Sequence, residues 1–185
     1  SITIERSNDV IPRVIGINYK ERQNNKVEDI VFPSVCPTCG SELEVVYPQH
    51  FCPNIDCPDR LKGSLQHFAQ RDAMDIVGMG SSIIELFVNE GFVISIKDIY
   101  TLSKHKDSLL ELEGFGKKKV ENLLKAIEDS KTREFWRVLY ALGIREVGKS
   151  MAKTLAKHFK SMEKLIDATE EELRQVEDVG DATIQ

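Results

Sequence analysis

The sequence predicts a mainly α-helical protein that begins with a β-rich segment and a small cysteine-rich segment. Three observations support this fold class. β-Branched residues alternate within residues 1–32, all four cysteines fall within residues 33–63, and apolar residues recur at helical spacing from residue 64 onward. We therefore expect three domains, with boundaries at 1–32, 33–63 and 64–185.

Composition and charge restrict the class of protein further. Of the 185 residues, 41% are hydrophobic and 30% are charged, and no apolar run approaches the roughly 18 residues that span a membrane. Residues 64–160 contain 16 Lys and Arg against 13 Asp and Glu, whereas residues 161–185 contain 2 against 8. The sequence excludes a membrane protein. It leaves residues 64–160 compatible with a nucleic-acid partner despite the net charge of −5, because Lys and Arg provide most of that binding.

The alternation within residues 1–32 predicts a β-hairpin with a turn at Asn8-Asp9. Two short strands are not stable alone, so we expect their partner strands to precede Ser1. Residues 20–29 are predicted to be a polar loop or linker. The alternating residues are Ile2, Ile4, Val10, Ile11, Val14, Ile15 and Ile17.

The cysteines follow the pattern C-x2-C-x12-C-x4-C. Two close pairs on separate turns suit a tetrahedral ion, and four protein sulfurs leave no open position, so we predict one structural zinc ion. Gly40 follows the first pair, where a positive φ is often needed. Two disulfides or four unrelated buried thiols are the alternatives, and His50 is either a rival ligand or a solvated loop residue. The predicted ligands are Cys36, Cys39, Cys52 and Cys57.

From Ser64 onward the apolar spacing predicts short helices joined by tight turns. Gly91 and Gly143 are predicted helix ends, and Thr169 with Glu172 forms a predicted capping box. The apolar residues that share faces are Leu65, Phe68, Ala69, Ala73 and Ile76; Ile83, Ile84, Phe87 and Val88; Val120, Leu123, Leu124 and Ile127; and Phe135, Val138, Leu139 and Leu142.

A glycine-anchored motif recurs four times in this helical region, with spacings of 36, 32 and 32 residues between anchors. Its copies are IVGMGSSII, LEGFGKKKV, IREVGKSMA and VEDVGDATI, anchored at Gly80, Gly116, Gly148 and Gly180. Apolar residues share three offsets from these anchors, which favours a repeated helix, glycine hairpin, helix unit over four independent helix stops. The shared apolar residues are Ile76, Leu112, Ile144 and Val176, then Met79, Phe115, Val147 and Val179, then Ile84, Val120, Ala152 and Ile184.

Such a hairpin presents backbone N–H groups at the start of its second helix, where the helix dipole favours an anion. We expect DNA phosphates to bind there independently of base sequence. Glu146 and Asp178 replace the first glycine of the third and fourth copies, and Asp181 follows the fourth anchor where the other copies have serine or lysine. An acid at the hairpin tip weakens a phosphate contact, so the fourth copy has the weakest case for DNA contact. The alternative interpretation of Gly114–Gly116 is a dinucleotide-binding loop, but the third glycine of that motif is missing here. The predicted DNA-binding residues are Gly78, Gly80, Gly114, Gly116, Lys117, Lys118, Gly148, Lys149 and Gly180, with Lys119 adding charge nearby.

Four motifs together carry a family resemblance over essentially the whole chain. They are IERSNDVIPRV at 4–14, CPTCG at 36–40 with Cys52 and Cys57, MDIVGMG at 74–80 and FWRVLYALGIREVG at 135–148. In this order they resemble the bacterial NAD-dependent DNA ligases. The resemblance implies the end of an OB-fold domain at 1–32, a four-cysteine zinc finger at 33–63 and a helix-hairpin-helix DNA-binding domain at 64–185, whose fourth hairpin is truncated.

The resemblance also implies an enzyme that seals nicks in duplex DNA during replication and repair. Such an enzyme transfers AMP from NAD, with magnesium, through a lysine to the 5′-phosphate. That lysine lies in a K-x-D-G motif, which this sequence lacks, so we expect no catalytic residue and no activity from this segment alone. The adenylation domain, NAD, magnesium and most of the OB barrel are expected before Ser1, and any BRCT domain after Gln185.

The expected partner is nicked double-stranded DNA, and we expect neither membrane binding nor an obligate protein partner. The expected location is the bacterial cytoplasm, in association with the nucleoid. Two alternatives remain open. One is a helix-hairpin-helix module of another DNA repair protein, and the other is a zinc-stabilised scaffold for protein interactions. Salt dependence of binding separates the scaffold from the DNA-binding proteins.

Overall fold

The computed structural model describes residues 1–7, 11–24, 28 and 30–184. About half of the chain is helical, with two small sheets, which confirms the mainly α prediction. The chain divides into two compact units, Ser1–Ser34 and Val35–Gln185. Within the described residues, no helix is both long and apolar enough to cross a bilayer.

The first unit contains the predicted β-hairpin. Strands β1 (Ile2–Ser7) and β2 (Ile11–Ile17) pair antiparallel, with Ile2 opposite Ile17. The predicted turn at Asn8-Asp9 lies outside the described residues, as does Val10. The apolar side chains of these strands are 44–70% exposed, so the hairpin has no core of its own.

The prediction of a loop over residues 20–29 is wrong in its first half. Helix α1 (Tyr19–Asn24) follows the hairpin. Asn18 precedes this helix, and its side-chain oxygen accepts a hydrogen bond from the backbone N–H of Glu21 at 3.3 Å. Asn18 therefore caps the helix, a local signal that the polar composition of the segment concealed.

The second unit begins with the cysteine segment, which folds as two turns around a short hairpin. Val35 pairs with Glu42 in an isolated bridge, and strands β3 (Glu44–Val46) and β4 (Gln49–Phe51) pair antiparallel. Helix α2 (Pro58–Ala69) follows directly, because Pro58 suits the first position of a helix. This helix starts before the predicted boundary at residue 64 and continues through it.

The first helical core joins α2 to the first two glycine turns. Its helices are α3 (Ser81–Asn89), α4 (Ile96–Ile99), a 3₁₀ turn (Leu102–His105), α5 (Lys106–Glu111) and α6 (Lys117–Ser130). Ala73 and Ile76 are buried as predicted, but they lie in the turn after α2, which ends at Ala69. The turn lets both side chains reach the core without a continuous helix.

The second helical core contains the remaining two glycine turns. Its helices are α7 (Phe135–Ala141), α8 (Lys149–Phe159), α9 (Met162–Ile166), α10 (Glu170–Arg174) and α11 (Asp181–Ile184). Leu142 was predicted on the packed face of α7, but it follows the end of that helix and is 41% exposed. Gly91 and Gly143 end helices with φ of 74° and 64°, and Thr169 with Glu172 forms the predicted capping box.

Helices α2 and α7 connect the two cores. The Nε2–H of His67 in α2 donates to the carbonyl of Tyr140 in α7 at 2.7 Å, and the two rings meet edge to face. The other ring nitrogen of His67 accepts from the Gln70 amide at 2.8 Å, which fixes this tautomer. The cysteine segment and both pairs of turns are thus parts of one unit.

Candidate nucleic-acid interface and metal centre

The four cysteines converge on one point between the two turns of the cysteine segment. Their Sγ atoms all lie within 4.8 Å of one another, with 3.9 Å between Cys36 and Cys57 and 3.5 Å between Cys39 and Cys52. A disulfide requires about 2.05 Å, whereas four zinc–sulfur bonds of about 2.3 Å place tetrahedral sulfurs about 3.8 Å apart. The geometry and the all-sulfur donor set fit a zinc ion.

Local backbone structure orients these sulfurs. The N–H of Gly40 donates to the carbonyl of Cys36 at 2.9 Å, and Gly40 has the positive φ predicted for it, 73°. Cys57 is the N-cap of α2. His50 is not part of the four-cysteine group, so the structure does not bring it to the metal site as a rival ligand. It lies half-buried in β4 opposite Val45 and is therefore not the solvated loop residue of the other interpretation either.

Two of the thiols have opposite pKa shifts. The hydroxyl of Ser41, 3.4 Å from Cys39 Sγ, and the Ser41 backbone lower the pKa of Cys39 to about 6. Desolvation raises the pKa of Cys52 to about 12. Metals bind the thiolate, so a zinc ion held by these four sulfurs would require Cys52 to lose its proton despite this desolvation.

All four glycine turns share one backbone geometry at the first position of the hairpin. Gly78 and Gly114 have φ of 93° and 76°, and Glu146 and Asp178 have φ of 62° and 63°. In every copy the residue after this position donates its N–H to the carbonyl three residues earlier, at 3.0–3.2 Å. The third and fourth copies therefore keep the same turn without glycine, at the expense of a left-handed residue that carries a side chain.

The second glycine of each turn has a different role. Gly80, Gly116 and Gly148 are the N-caps of α3, α6 and α8, with φ of −70° to −77°, which any residue adopts. A Cβ added at any of them meets no atom within 4 Å. The fold does not require glycine at these positions, so its effect is to keep the surface open above the unpaired N–H groups of the first helical turn.

Most of the shared apolar residues pack as the repeat predicts. Phe115, Val120 and Ala152 are among the buried ones, with exposed fractions of at most 3%. Ile144 is the exception, because it is 45% exposed. It precedes the third turn beside Gly143, and its side chain lies at the edge of an open depression that His67 and Arg60 also line.

The predicted lysines differ in what they contact. Lys117 and Lys118 are exposed at the start of α6. The ammonium of Lys119 instead turns back, donating to the carbonyl of Gly114 at 3.2 Å and lying 3.9 Å from the centre of the Phe115 ring. Lys118 and Lys119 line a groove with Val77 and Gly78, which brings the first two hairpins together.

Lys149 at the third hairpin forms a long-range ion pair that the sequence did not reveal. Its Nζ lies 3.0 Å from Oδ1 of Asp72, in the turn after α2. A hydrogen bond from Lys149, followed by the charges of Lys149, Arg137 and Arg71, lowers the pKa of Asp72. Trp136, Arg137 and Lys153 lie in the same cluster.

The fourth turn is the least developed. Gly180 is exposed like the other anchors, but the following helix α11 has only four residues. The side chain of Asp181 at its start accepts a hydrogen bond from Arg174. An acidic group thus stands where the other copies have serine or lysine.

Two family models match the helical region. Residues 71–129 match a SAM-like helix-hairpin-helix tandem, and residues 137–185 match a helix-hairpin-helix motif. The first match contains the turns at Gly80 and Gly116, and the second contains those at Gly148 and Gly180. The chain is therefore a tandem helix-hairpin-helix protein, as the repeat predicted.

Similarity to curated proteins extends along the whole chain. It is 45% identical to a DNA ligase of Thermomicrobium roseum and 43% identical to one of a Marinomonas species, over all of this chain and 26% and 28% of those relatives. A DNA ligase of Christiangramia forsetii is 41% identical over 98% of the chain and 27% of the relative. These relatives are DNA ligases, and the chain spans about a quarter of their length.

Proposed function

We propose that this chain is the DNA-binding segment of an NAD-dependent DNA ligase that seals nicks in duplex DNA during replication and repair. The observation that supports this most directly is the open surface at three hairpin anchors. Gly80, Gly116 and Gly148 begin helices of nine, fourteen and eleven residues, and a Cβ placed on any of these glycines has no atom within 4 Å. A DNA backbone can approach their N–H groups closely.

In this proposal the hairpins bind phosphates along the duplex, without regard to base sequence. The proposed contacts are the glycines at 78, 80, 114, 116, 148 and 180, with Lys117, Lys118 and Lys149. Backbone donors at a helix start hold an anion in a fixed position, whereas the exposed lysines add attraction that salt screens. Binding energy gathered by this segment positions the nick for chemistry performed elsewhere in the enzyme.

The cysteine segment takes the role of a structural zinc finger, with Cys36, Cys39, Cys52 and Cys57 as ligands. Because Cys57 caps α2, the bound ion fixes the start of the helix that enters the first hairpin core. The apolar strands of the first unit fit the end of an OB-fold domain, since their exposed isoleucines need further strands or helices to cover them. We retain 1–32, 33–63 and 64–185 as the proposed domains.

NAD, magnesium and the nucleotide-accepting lysine belong to a different part of the enzyme in this proposal. The supporting observation is that K-x-D-G does not occur in the 185 residues. We expect the chain by itself to form no AMP adduct with NAD and to join no nick. The proposed cellular setting is the bacterial nucleoid.

Glycine-to-asparagine variants test the hairpin contacts. Asparagine is a good N-cap residue, so Gly80→Asn and Gly116→Asn preserve their helices while placing a side chain over the N–H groups. We expect affinity for a nicked duplex to fall about tenfold in each, the loss of roughly one strong phosphate contact. Affinity is measured by fluorescence anisotropy with labelled nicked duplex at about 50 mM salt.

Gly91→Asn is the matched control, because Gly91 lies at the opposite end of α3 and has φ of 74°, which asparagine tolerates. Its DNA affinity should stay within about twofold of the unsubstituted chain. Zinc content and the thermal midpoint confirm that each variant is folded. Equal affinities for all three variants and the unsubstituted chain would remove the hairpins from the DNA interface and favour a protein scaffold.

A further inference from the structure

Three positive side chains surround the ring of Trp136, the single tryptophan of the chain. Its ring centre lies 4.8 Å from Nζ of Lys153, 5.1 Å from the guanidinium carbon of Arg137 and 6.0 Å from Nζ of Lys149. These distances fall within the range of cation–π attraction. The Nε1–H of Trp136 donates to Glu134 at 2.9 Å, which fixes the ring in this orientation.

The cluster is continuous with the third hairpin. Lys149 is the first residue of α8, directly after Gly148, and Lys153 is one turn further along the same helix. The two lysines are separated by about 6 Å along the helix axis. Charges on a DNA strand recur about every 3.4 Å along the duplex axis, so this separation corresponds to about two nucleotides.

A purely structural role accounts for two of the three cations. Arg137 donates to the backbone carbonyls of Arg71 and Ala73, and Lys149 pairs with Asp72, so both hold the turn after α2. Lys153 is different, since its ammonium pairs with no acidic group anywhere in the described residues 1–7, 11–24, 28 and 30–184. It lies against an aromatic ring and leaves its hydrogen-bond donors to the solvent.

The charge around the ring favours a polyanion. Within the part of the chain that the structure describes, Asp72 and Glu134 are the acidic groups that contact members of the cluster, and both are engaged there by hydrogen bonds. Against them stand Lys149, Lys153 and Arg137, with Arg71 close enough to act on Asp72. The balance is positive, although the chain as a whole is acidic.

We propose that Lys153, held against Trp136 beside Lys149, is a further backbone-contact site for the DNA strand that reaches the third hairpin. The site binds a phosphate diester about two nucleotides from the one at the N-terminus of α8. Trp136 orients the lysine so that less conformational freedom is lost on binding. This inference rests on the proposed function, because it needs DNA at the third hairpin.

The charge test compares Lys153→Ala with Lys106→Ala. Both lysines are exposed, but Lys106 lies at the start of α5, outside the cluster. For Lys153→Ala we expect affinity for nicked duplex to fall about fivefold at about 50 mM salt, with the slope of log K against log salt reduced by about 0.9. Lys106→Ala lowers the net charge equally and should change affinity by less than twofold.

The fluorescence of Trp136 reports on the same site without any substitution. Iodide is attracted to the cations around the ring. At equal concentration it should therefore quench the emission of the free chain more strongly than the neutral quencher acrylamide does. Saturating nicked duplex should reduce iodide quenching at least threefold if a strand covers the cluster. The unsubstituted 185-residue chain is used for this measurement.

The outcomes separate this inference from the proposed function. If the unsubstituted chain binds no duplex at low salt, both are overturned. If the chain binds duplex and Gly80→Asn weakens that binding, but Lys153→Ala behaves like Lys106→Ala and iodide quenching is unchanged by DNA, only the Lys153 site is overturned.

Discussion

Single residues decide how far each hairpin can serve as a phosphate site. The left-handed conformation at the first hairpin position occurs with glycine in two copies and with Glu146 and Asp178 in the others. The turn itself therefore does not depend on glycine. What changes between copies is the charge at the tip, where an acid would repel the phosphates that we propose to bind at the adjacent N–H groups.

Glu146→Gln should raise the affinity of the chain for duplex DNA. The substitution keeps the size of the side chain and removes one negative charge next to Gly148. A charge about 4 Å from a phosphate in water contributes about 1 kcal/mol, so we expect roughly a fivefold gain at low salt. Anisotropy titration measures the effect.

The stability of this variant should not change, because the ion pair between Glu146 and Arg145 is 3.9 Å long and exposed. Glu90→Gln is the control, since Glu90 caps the far end of α3. A gain of equal size in both variants would mean that only net charge matters, and it would contradict a specific effect at the third hairpin.

The sequence predicted residues whose partners are close in the chain and missed those whose partners are distant. Gly40 and the Thr169–Glu172 capping box depend on contacts within four residues and were confirmed. Lys149 was predicted at the hairpin, but its pairing with Asp72, 77 residues away, has no periodicity that would reveal it. The cluster around Trp136 was missed for the same reason.

At the scale of elements, the cysteine segment and the helical hairpins are stabilised in different ways. Between residues 33 and 57 only Cys36 and Cys57 are buried, so this segment has almost no apolar core. The hairpins instead share two clusters of buried apolar side chains, one from Leu65 to Ala141 and one from Leu139 to Val176. Metal binding and folding should consequently be coupled in the cysteine segment and not in the helical hairpins.

Removal of zinc should unfold the cysteine segment and leave the helical hairpins folded. A strong chelator removes the ion, and the Cys57→Ser substitution removes one of its four ligands. Zinc binding contributes about 10 kcal/mol or more in small zinc modules. We expect limited proteolysis to cut within residues 35–57, while most of the helical circular dichroism signal remains. Zinc is quantified by inductively coupled plasma mass spectrometry.

His50→Ala provides the control for the ligand set. His50 is outside the sulfur cluster, so this variant should keep one zinc ion per chain. A chain that carries no zinc before chelation, or a His50→Ala variant that loses it, would overturn the four-cysteine assignment. Cooperative loss of the whole helical signal on chelation would contradict the separate stabilisation of the two parts.

Element order could be predicted because each region has its own local pattern, but the ends of some individual helices could not. The helix that begins at Pro58 belongs to the cysteine segment by its cap and to the first hairpin core by Leu65 and Phe68. Helix α1 was missed since five of its six residues are polar and a single tyrosine makes no apolar face. Exposed Ile144 and Leu142 show that apolar spacing alone does not decide what is buried.

For the whole molecule, the arrangement of charge is more informative than its total. The net charge is −5, yet residues 161–185 account for more than this excess with 8 acidic against 2 basic residues. The hairpins with the strongest case for phosphate contact lie before this stretch. Eight of the nine proposed DNA-contact residues therefore precede residue 161, and Gly180 is the one that lies within the acidic stretch.

The affinity of the whole chain for duplex DNA should depend strongly on salt and weakly on sequence. If the hairpins neutralise roughly 4 to 6 phosphates, log K falls against log salt with a slope of about −4 to −5. Two nicked duplexes of equal length and unrelated sequence should bind within about twofold of each other, because backbone contacts carry no direct sequence information. Titrations between about 50 and 200 mM salt measure both properties, and an unnicked duplex of the same length tests the preference for a nick. A flat salt response would favour the protein-scaffold alternative, and a large difference between the two sequences would require contacts to base edges that helix starts and lysines on the strand backbone do not provide.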